Sequence, residues 1–334
     1  MKTFRCACNS RIFFENTVCL ACRRELGFLP DALTMAPLEA NGPEGFTTAH
    51  GVYRKCANYL EQGVCNWMVP AASSCSLCQA CDLNHVIPDL SDPKNKLLWV
   101  EVEKGKRRLV YTLDRLKLPL QSKRDDPQHG LAFDIAADTT STRVLTGHDD
   151  GLITLNIVEA HPVEREKIRL AMKERYRTTL GHFRHEIGHY YWDKLVRDTP
   201  QIDRFRELFG DERADYAAAL QSHYSAKSHA HYSDSFISDY ASAHPWEDFA
   251  ETFAHYLHMD DTLETANDFG LLPNRADSPG SVDRRIDGLL SVWTELTVAL
   301  NALNRSMGLA DAYPFSISPK VEGKLGFIDA LVHS

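Results

Sequence analysis

The chain has 334 residues, more than one small core requires, so two or three domains are expected. Hydrophobic residues make up 43% and charged residues 25%, the proportions of a soluble globular protein. The formal net charge of −9 excludes an overall basic field for nucleic acid.

The N-terminus, Met1 to Cys6, lacks the apolar stretch of a secretory signal, and no segment approaches the roughly 20 apolar residues of a membrane span. The expectation is a cytoplasmic protein without membrane contact, in a compartment that keeps thiols reduced. All nine cysteines fall between Cys6 and Cys81, and such crowding points to metal rather than disulfides. Cys6 and Cys8, then Cys19 and Cys22, form two close pairs that suit one tetrahedral zinc ion, because each pair can turn two sulfurs toward a common point. The second cluster offers five thiols for four positions. Cys78 and Cys81 make the clearest knuckle, with Cys56 and Cys65 as the other pair. Cys75 has the same spacing to Cys78 and competes for a place; we prefer Cys78 and Cys81 and read Cys75 as a spare thiol.

Two such structural sites would fold residues 1–90, which have too little core to fold alone. Within them, seven Lys or Arg face eight Asp or Glu. That balance argues against a phosphate-binding surface and for protein recognition or scaffolding. The segment from Leu29 to Gly51, rich in Pro and Gly, reads as a connector between the cysteine clusters.

In the middle of the chain, Leu97–Glu103 has the look of a strand, and Leu109–Leu116 continues a hairpin or begins a helix. The basic run Lys104 to Arg108, beside Glu101 and Glu103, reads as a solvated strand edge or turn. Leu131–Ile135 and Leu152–Ile157 are strand candidates, with His148 to Gly151 as a turn into the second. Helices are expected from Pro162 and from about Thr179 to Val196.

The second of these helices carries His185-Glu186-Ile187-Gly188-His189. Histidines four apart share one helical face, so both imidazoles can reach one zinc ion. Glu186 is then placed to accept a proton from water at the metal, and Gly188 lets another element approach closely. A third ligand is found in His244-Pro245-Trp246-Glu247-Asp248-Phe249-Ala250-Glu251, where Ser242 or His244 caps a helix that starts near Pro245. Glu247 and Glu251 share a face. Glu247 would bind the metal, and Glu251 would hold a ligand imidazole by its other nitrogen. The 58 residues from His189 to Glu247 (247 − 189) should contain helices near Ile202–Phe209 and Glu212–His223 and a loop, residues 225–232, whose His229 and His231 rank below Glu247 as ligands.

These two motifs resemble those of the bacterial zinc-binding metallopeptidase family, whose members also carry cysteine-rich zinc-ribbon sequence ahead of the peptidase domain. The resemblance covers nearly the whole chain. It implies an α+β protein: a double zinc ribbon over 1–90, then a mainly helical, gluzincin-type zincin domain with a small β-sheet over 91–334. It implies hydrolysis of a peptide or protein substrate, with one catalytic and two structural zinc ions. The Glu-x-Phe-Ala-Glu pattern is also similar to lethal-factor-like peptidases, in which a tyrosine shortly before the ligand glutamate helps bind the oxyanion. Tyr240, seven residues before Glu247, matches; its alternative role is a packed aromatic. The competing function is a protein-binding zinc-ribbon module with a weakly active or regulatory zincin domain. Glu186 disfavours it, since a scaffold has no use for a base beside its ligands.

Finally, Ser281–Met307 reads as an amphipathic helix that completes the core. The short tail beyond Pro314 is expected to pack back through Phe315 and Phe327.

Overall fold

The computed structural model describes residues 1–43, 45–139, 143–172, 174–225, 234–272 and 285–334. The chain divides into two compact units, Met1–Ile168 and Arg169–Ser334. The architecture is mixed α and β: a cysteine-rich N-terminal region, small sheets and a mainly helical C-terminal half. Among the described residues, no helix is long and apolar enough to cross a membrane.

The first unit begins with a short hairpin, β1 (Phe4–Arg5) and β2 (Arg11–Ile12). A second hairpin follows, β3 (Leu26–Leu29) and β4 (Thr34–Pro37). Next comes an antiparallel sheet in chain order: β5 (Glu39–Asn41), β6 (Gly45–Thr48), β7 (Gly51–Lys55) and β8 (Met68–Pro70). The Leu29–Gly51 stretch is therefore folded and not a plain connector. Its prolines and glycines mark the turns, while Leu29, Ala36, Leu38, Tyr53 and Met68 form a small apolar core.

After a one-turn helix α1 (Gln79–Asp82) and β9 (Asn84–Val86) comes α2 (Pro93–Arg115), a 23-residue helix. The strand expected at Leu97–Glu103 and the solvated basic run at Lys104–Arg108 are both overturned, because both lie inside α2. The start signal is Asp92, whose side chain accepts from the Lys94 amide at 2.9 Å, with Pro93 at the first helical position. Trp99, Val102, Lys106, Leu109, Val110 and Leu113 are buried at helical spacing. Lys106 is fully buried on an ion pair with Glu103 at 2.8 Å and on Asn84, and Arg107 donates to the Val64 carbonyl. Buried partners, not solvent, explain two of the four basic residues of that run. Tyr111 of α2 joins Phe14, Phe28 and Trp67 in an aromatic cluster, with Phe28 and Trp67 centroids 4.7 Å apart, so the helix and the cysteine-bearing segments share one core.

Strands β10 (Ala132–Ala136), β11 (Gly147–Asp149) and β12 (Leu152–Asn156) complete a four-stranded sheet in the order β11-β12-β10-β9. β10 runs parallel to β9 and β12, and β11 and β12 form a hairpin. Its turn is Asp150-Gly151, both at positive φ (45° and 82°), so the first half of the expected His148–Gly151 turn is strand. The chain passes to the second unit within α3 (Pro162–Ala171).

The second unit contains α4 (Thr179–Leu195), α5 (Ile202–Phe209), α6 (Tyr216–Ser225), a 3₁₀ turn (Tyr240–Ser242), α7 (Pro245–Asp268), α8 (Arg285–Ser306) and α9 (Pro319–Val332). Thr178 caps α4 by accepting from the Gly181 amide at 2.9 Å, and of the two candidate caps for α7 it is His244 whose Nδ1 accepts from the Trp246 amide. Among the described residues, helices α4 and α7 make the most extensive contact. Phe315 packs on His255 and Phe327 on Phe209, as expected. The tail carrying Phe327, however, is a 14-residue helix capped by Ser318, and its Val321, Leu325 and Ile328 are core residues. His229, His231 and residues 281–284 of the expected long helix lie outside the described residues.

At Gly188 a Cβ would stand 2.8 Å from the Ala250 Cα and 3.0 Å from its carbonyl oxygen. Gly188→Ala is expected to cost about 1–3 kcal/mol by forcing α4 and α7 apart; a chemical denaturation curve measures it. Lys106→Met, which removes the buried charge partner of Glu103 and leaves its carboxylate to the neutral Trp99 and Asn84 donors, should destabilise the first unit by about 3–5 kcal/mol in the same assay.

Candidate metal centre

Two turns of α4 and the first turn of α7 bring three donor atoms together. The Nε2 atoms of His185 and His189 are 3.2 Å apart, and Glu247 Oε2 lies 3.0 Å from the first and 3.4 Å from the second. Zinc bound at the usual 2.0–2.1 Å has tetrahedron edges of about 3.3–3.4 Å, so the triangle has the dimensions the ion requires. Glu247 is 1% exposed, and Oε2 has no hydrogen bond of good geometry despite its two close nitrogens. Three electron-rich atoms converge on one point, with the Glu247 oxygen left without a well-aligned donor, and a cation there would satisfy all three. His185, His189 and Glu247 therefore fit a zinc ion.

Hydrogen bonds hold His185 and Glu247 from outside, and ring packing holds His189. His185 Nδ1 meets Glu251 Oε1 at 2.8 Å, and Glu251 Oε2 accepts from Ser238 Oγ at 2.5 Å, so the imidazole is held by the nitrogen turned away from the centre. Glu247 Oε1 accepts from the Tyr216 hydroxyl at 2.6 Å. The Trp246 ring lies against His189, centroids 3.9 Å apart. Behind the ligand, Asp248 forms a buried ion pair with Lys324 of α9, which also donates to the Ser235 carbonyl.

Charge follows the same plan. Burial works against an ionised Glu247, but the His189 and His185 rings outweigh it and hold the carboxyl well below its ordinary range. Glu251 is likewise brought down to about 2, burial being overcome by His185. Burial alone would lower the His185 imidazole, yet its bonds to Glu247 and Glu251 keep it well above its usual value. Burial pushes the Asp248 carboxyl up to about 7 against the pull of Lys324. The centre thus stabilises positive charge at the point where the three donor atoms meet.

Glu186 is buried beside His185 and, among the described residues, has neither hydrogen bond nor ion pair. Burial first, and the charges of Glu247 and Glu186 after it, push the phenols of Tyr216 and Tyr240 up, so both stay protonated donors. The Tyr240 ring stands 5.7 Å from that of His185. Sequence reasoning brought His185, Glu186, His189, Tyr240, Glu247 and Glu251 to this place, but missed Tyr216, Ser238 and Lys324. Tyr216 lies 31 residues from Glu247 and Lys324 lies 76 from Asp248, with no periodicity linking the partners.

In the first unit the sulfurs of Cys6, Cys8, Cys19 and Cys22 lie within 4.8 Å of one another, as do those of Cys56, Cys65, Cys78 and Cys81. Cys6–Cys22, Cys8–Cys19 and Cys65–Cys78 are separated by 3.6, 3.7 and 3.7 Å, too far for disulfides and close to the roughly 3.8 Å edge of a zinc–thiolate tetrahedron. Burial pushes the Cys65 and Cys78 thiols up, while hydrogen bonds from Cys65, Cys78 and Cys81 hold Cys56 well down. In the second quartet, four buried sulfurs sharing little negative charge become four thiolates only with a cation among them; the first quartet, with Cys8 exposed, fits zinc by its sulfur spacing. Cys75 stands outside its quartet, near Asp82 and Arg124.

Residues 95–331 match the family named "Putative zinc-binding metallo-peptidase", and residues 3–92 match a zinc-ribbon domain. Similar over nearly their whole length are uncharacterized proteins of Mycobacterium tuberculosis and Mycobacterium bovis. Each is 40% identical over 336 residues, covering 99% of this chain and 95% of theirs. No solved structure matches. Matched along most of its length and similar to these relatives almost end to end, the chain belongs to this zinc-binding metallo-peptidase family and carries a zinc-ribbon domain at its N-terminal side.

Proposed function

We propose that this protein is a gluzincin-like zinc peptidase that hydrolyses peptide bonds, with His185, His189 and Glu247 holding the catalytic zinc and Glu186 as general base. The observation that carries this reading is the ligand triangle of 3.0–3.4 Å, set beside a buried glutamate without a partner. Zinc bound there supplies Lewis acidity and lowers the pKa of adjacent water towards about 7. Glu186 accepts the proton of the attacking water and returns it to the leaving amine; its freedom from other bonds suits that double duty. The Tyr240 phenol, kept protonated by burial, donates to the oxyanion of the tetrahedral intermediate. Glu251 and Ser238 hold His185 in one tautomer and orientation.

The two cysteine quartets bind structural zinc, giving three ions per chain: one catalytic, two structural. Residues 1–90 serve as the ribbon region, offering a surface for a protein partner, and residues 91–334 as the peptidase domain. The substrate is a peptide or protein; nucleic acid and membrane are not partners. Reduced thiols in both quartets favour a cytoplasmic setting.

Elemental analysis of the purified protein should find three zinc ions per chain, falling to two in the His185→Ala/Glu247→Ala double variant. Equal counts of two in both would remove the catalytic site and leave the protein-binding alternative. Glu186→Gln should keep all three ions while losing about 10²–10⁴-fold in turnover of a peptide-library substrate; retained activity would exclude Glu186 as the base.

A further inference from the structure

The two carboxylate oxygens of Glu247 have different neighbours. Oε2 faces the imidazole pair, at 3.0 and 3.4 Å. Oε1 accepts from the Tyr216 hydroxyl at 2.6 Å. Tyr216 is the first residue of α6, a helix with no buried residue, and is itself 38% exposed. Its ring stands edge-on to His244 and Trp246, with centroids 5.2 and 5.7 Å away, both residues of the α7 N-terminus that also carries Glu247. An exposed helix thus reaches a single hydroxyl into a carboxylate that is 1% exposed. The helix has little packing to gain from that hydroxyl. The carboxylate gains a great deal, since a buried charged acceptor without a donor is costly.

A carboxylate can hold a metal through one oxygen or through both, and the second mode uses a position that substrate or water would otherwise take. A donor already seated on Oε1 decides between them. We propose that Tyr216 is a positioning residue of the metal centre: it occupies Glu247 Oε1, confines the glutamate to binding through Oε2 alone, and so keeps a coordination position open. This rests on the zinc-site reading above. It explains why the 58-residue interval between His189 and Glu247 contains a surface helix whose first side chain turns inward. It also gives that interval a role in the site that the motif residues do not carry.

The test is Tyr216→Phe, which keeps the ring contacts with His244 and Trp246 and removes only the hydroxyl. Cobalt is loaded into wild type, into this variant and into His185→Ala/Glu247→Ala, whose spectrum is subtracted to remove the cysteine sites. The expected result is weaker visible d–d absorption for Tyr216→Phe than for wild type, as higher coordination produces, together with zinc held about 10-fold less tightly in chelator competition. A hydroxyl with only a structural role would lower the melting temperature and leave both the difference spectrum and the affinity as in wild type; that outcome overturns the proposal. If wild type and the double variant load the same amount of cobalt, the zinc-site reading itself falls, and the Tyr216 assignment with it. A third cobalt in wild type with an unaltered Tyr216→Phe spectrum would remove the Tyr216 assignment alone.

Discussion

Helices α4 and α7 approach until the backbone of Ala250 fills the space that a side chain at position 188 would need. The candidate metal centre depends on that approach. Two imidazoles one turn apart on α4 can converge with a carboxylate on α7 only if the helices pack at backbone distance, and only glycine leaves that room. The long contact between the helices then fixes the spacing of the three donor atoms through apolar burial, with Tyr191 stacked on Phe253 at 5.5 Å and Phe249 and Phe253 fully buried. Packing so dense resists small displacements, which is what a site defined to a few tenths of an ångström requires.

Around this contact, polar groups of the candidate centre are held by residues from elsewhere in the second unit. Ser238, in the segment before α7, holds Glu251, which holds His185. Lys324, on the last helix, neutralises Asp248 next to Glu247 and ties down Ser235. The C-terminal helix is thus part of the frame behind the Glu247 carboxylate as well as of the core. Burying the Lys324–Asp248 pair carries a desolvation cost, offset by a close ion pair and a further hydrogen bond to the Ser235 carbonyl. The rings of Phe209 and Phe236 flank the ammonium group, at 5.3 and 4.6 Å, and add cation–π attraction.

The first unit solves a different problem. Its cysteine-bearing segments are short hairpins and turns with small cores, and they gain order in two ways. The sulfur quartets invite metal, and the aromatic cluster of Phe14, Phe28, Trp67 and Tyr111 joins the segments to α2. The same helix accepts two buried basic side chains because Glu103, Asn84 and the Val64 carbonyl are placed to receive them. A run of lysines and arginines reads as solvated only when its partners are unknown.

The chemistry-bearing residues were legible in the sequence where their spacing is local. His185 and His189 share a face at i and i+4, Glu247 and Glu251 repeat that spacing, and the cysteines come in close pairs; in each case one turn of backbone fixes the geometry. Helix starts at Pro162 and Pro245 were readable for the same reason. What the sequence left open depends on contacts between distant segments. The burial that makes Leu97–Glu103 a helix, the partners of Lys106 and Arg107, the hydroxyl of Tyr216 on Glu247 and the place of Lys324 behind Asp248 have no local signature. The sequence by itself determined the donor atoms and their pairing along each helix or knuckle. The tertiary structure alone decided which oxygen of Glu247 meets the imidazoles and which meets Tyr216, because that choice is made by a side chain reaching in from another helix.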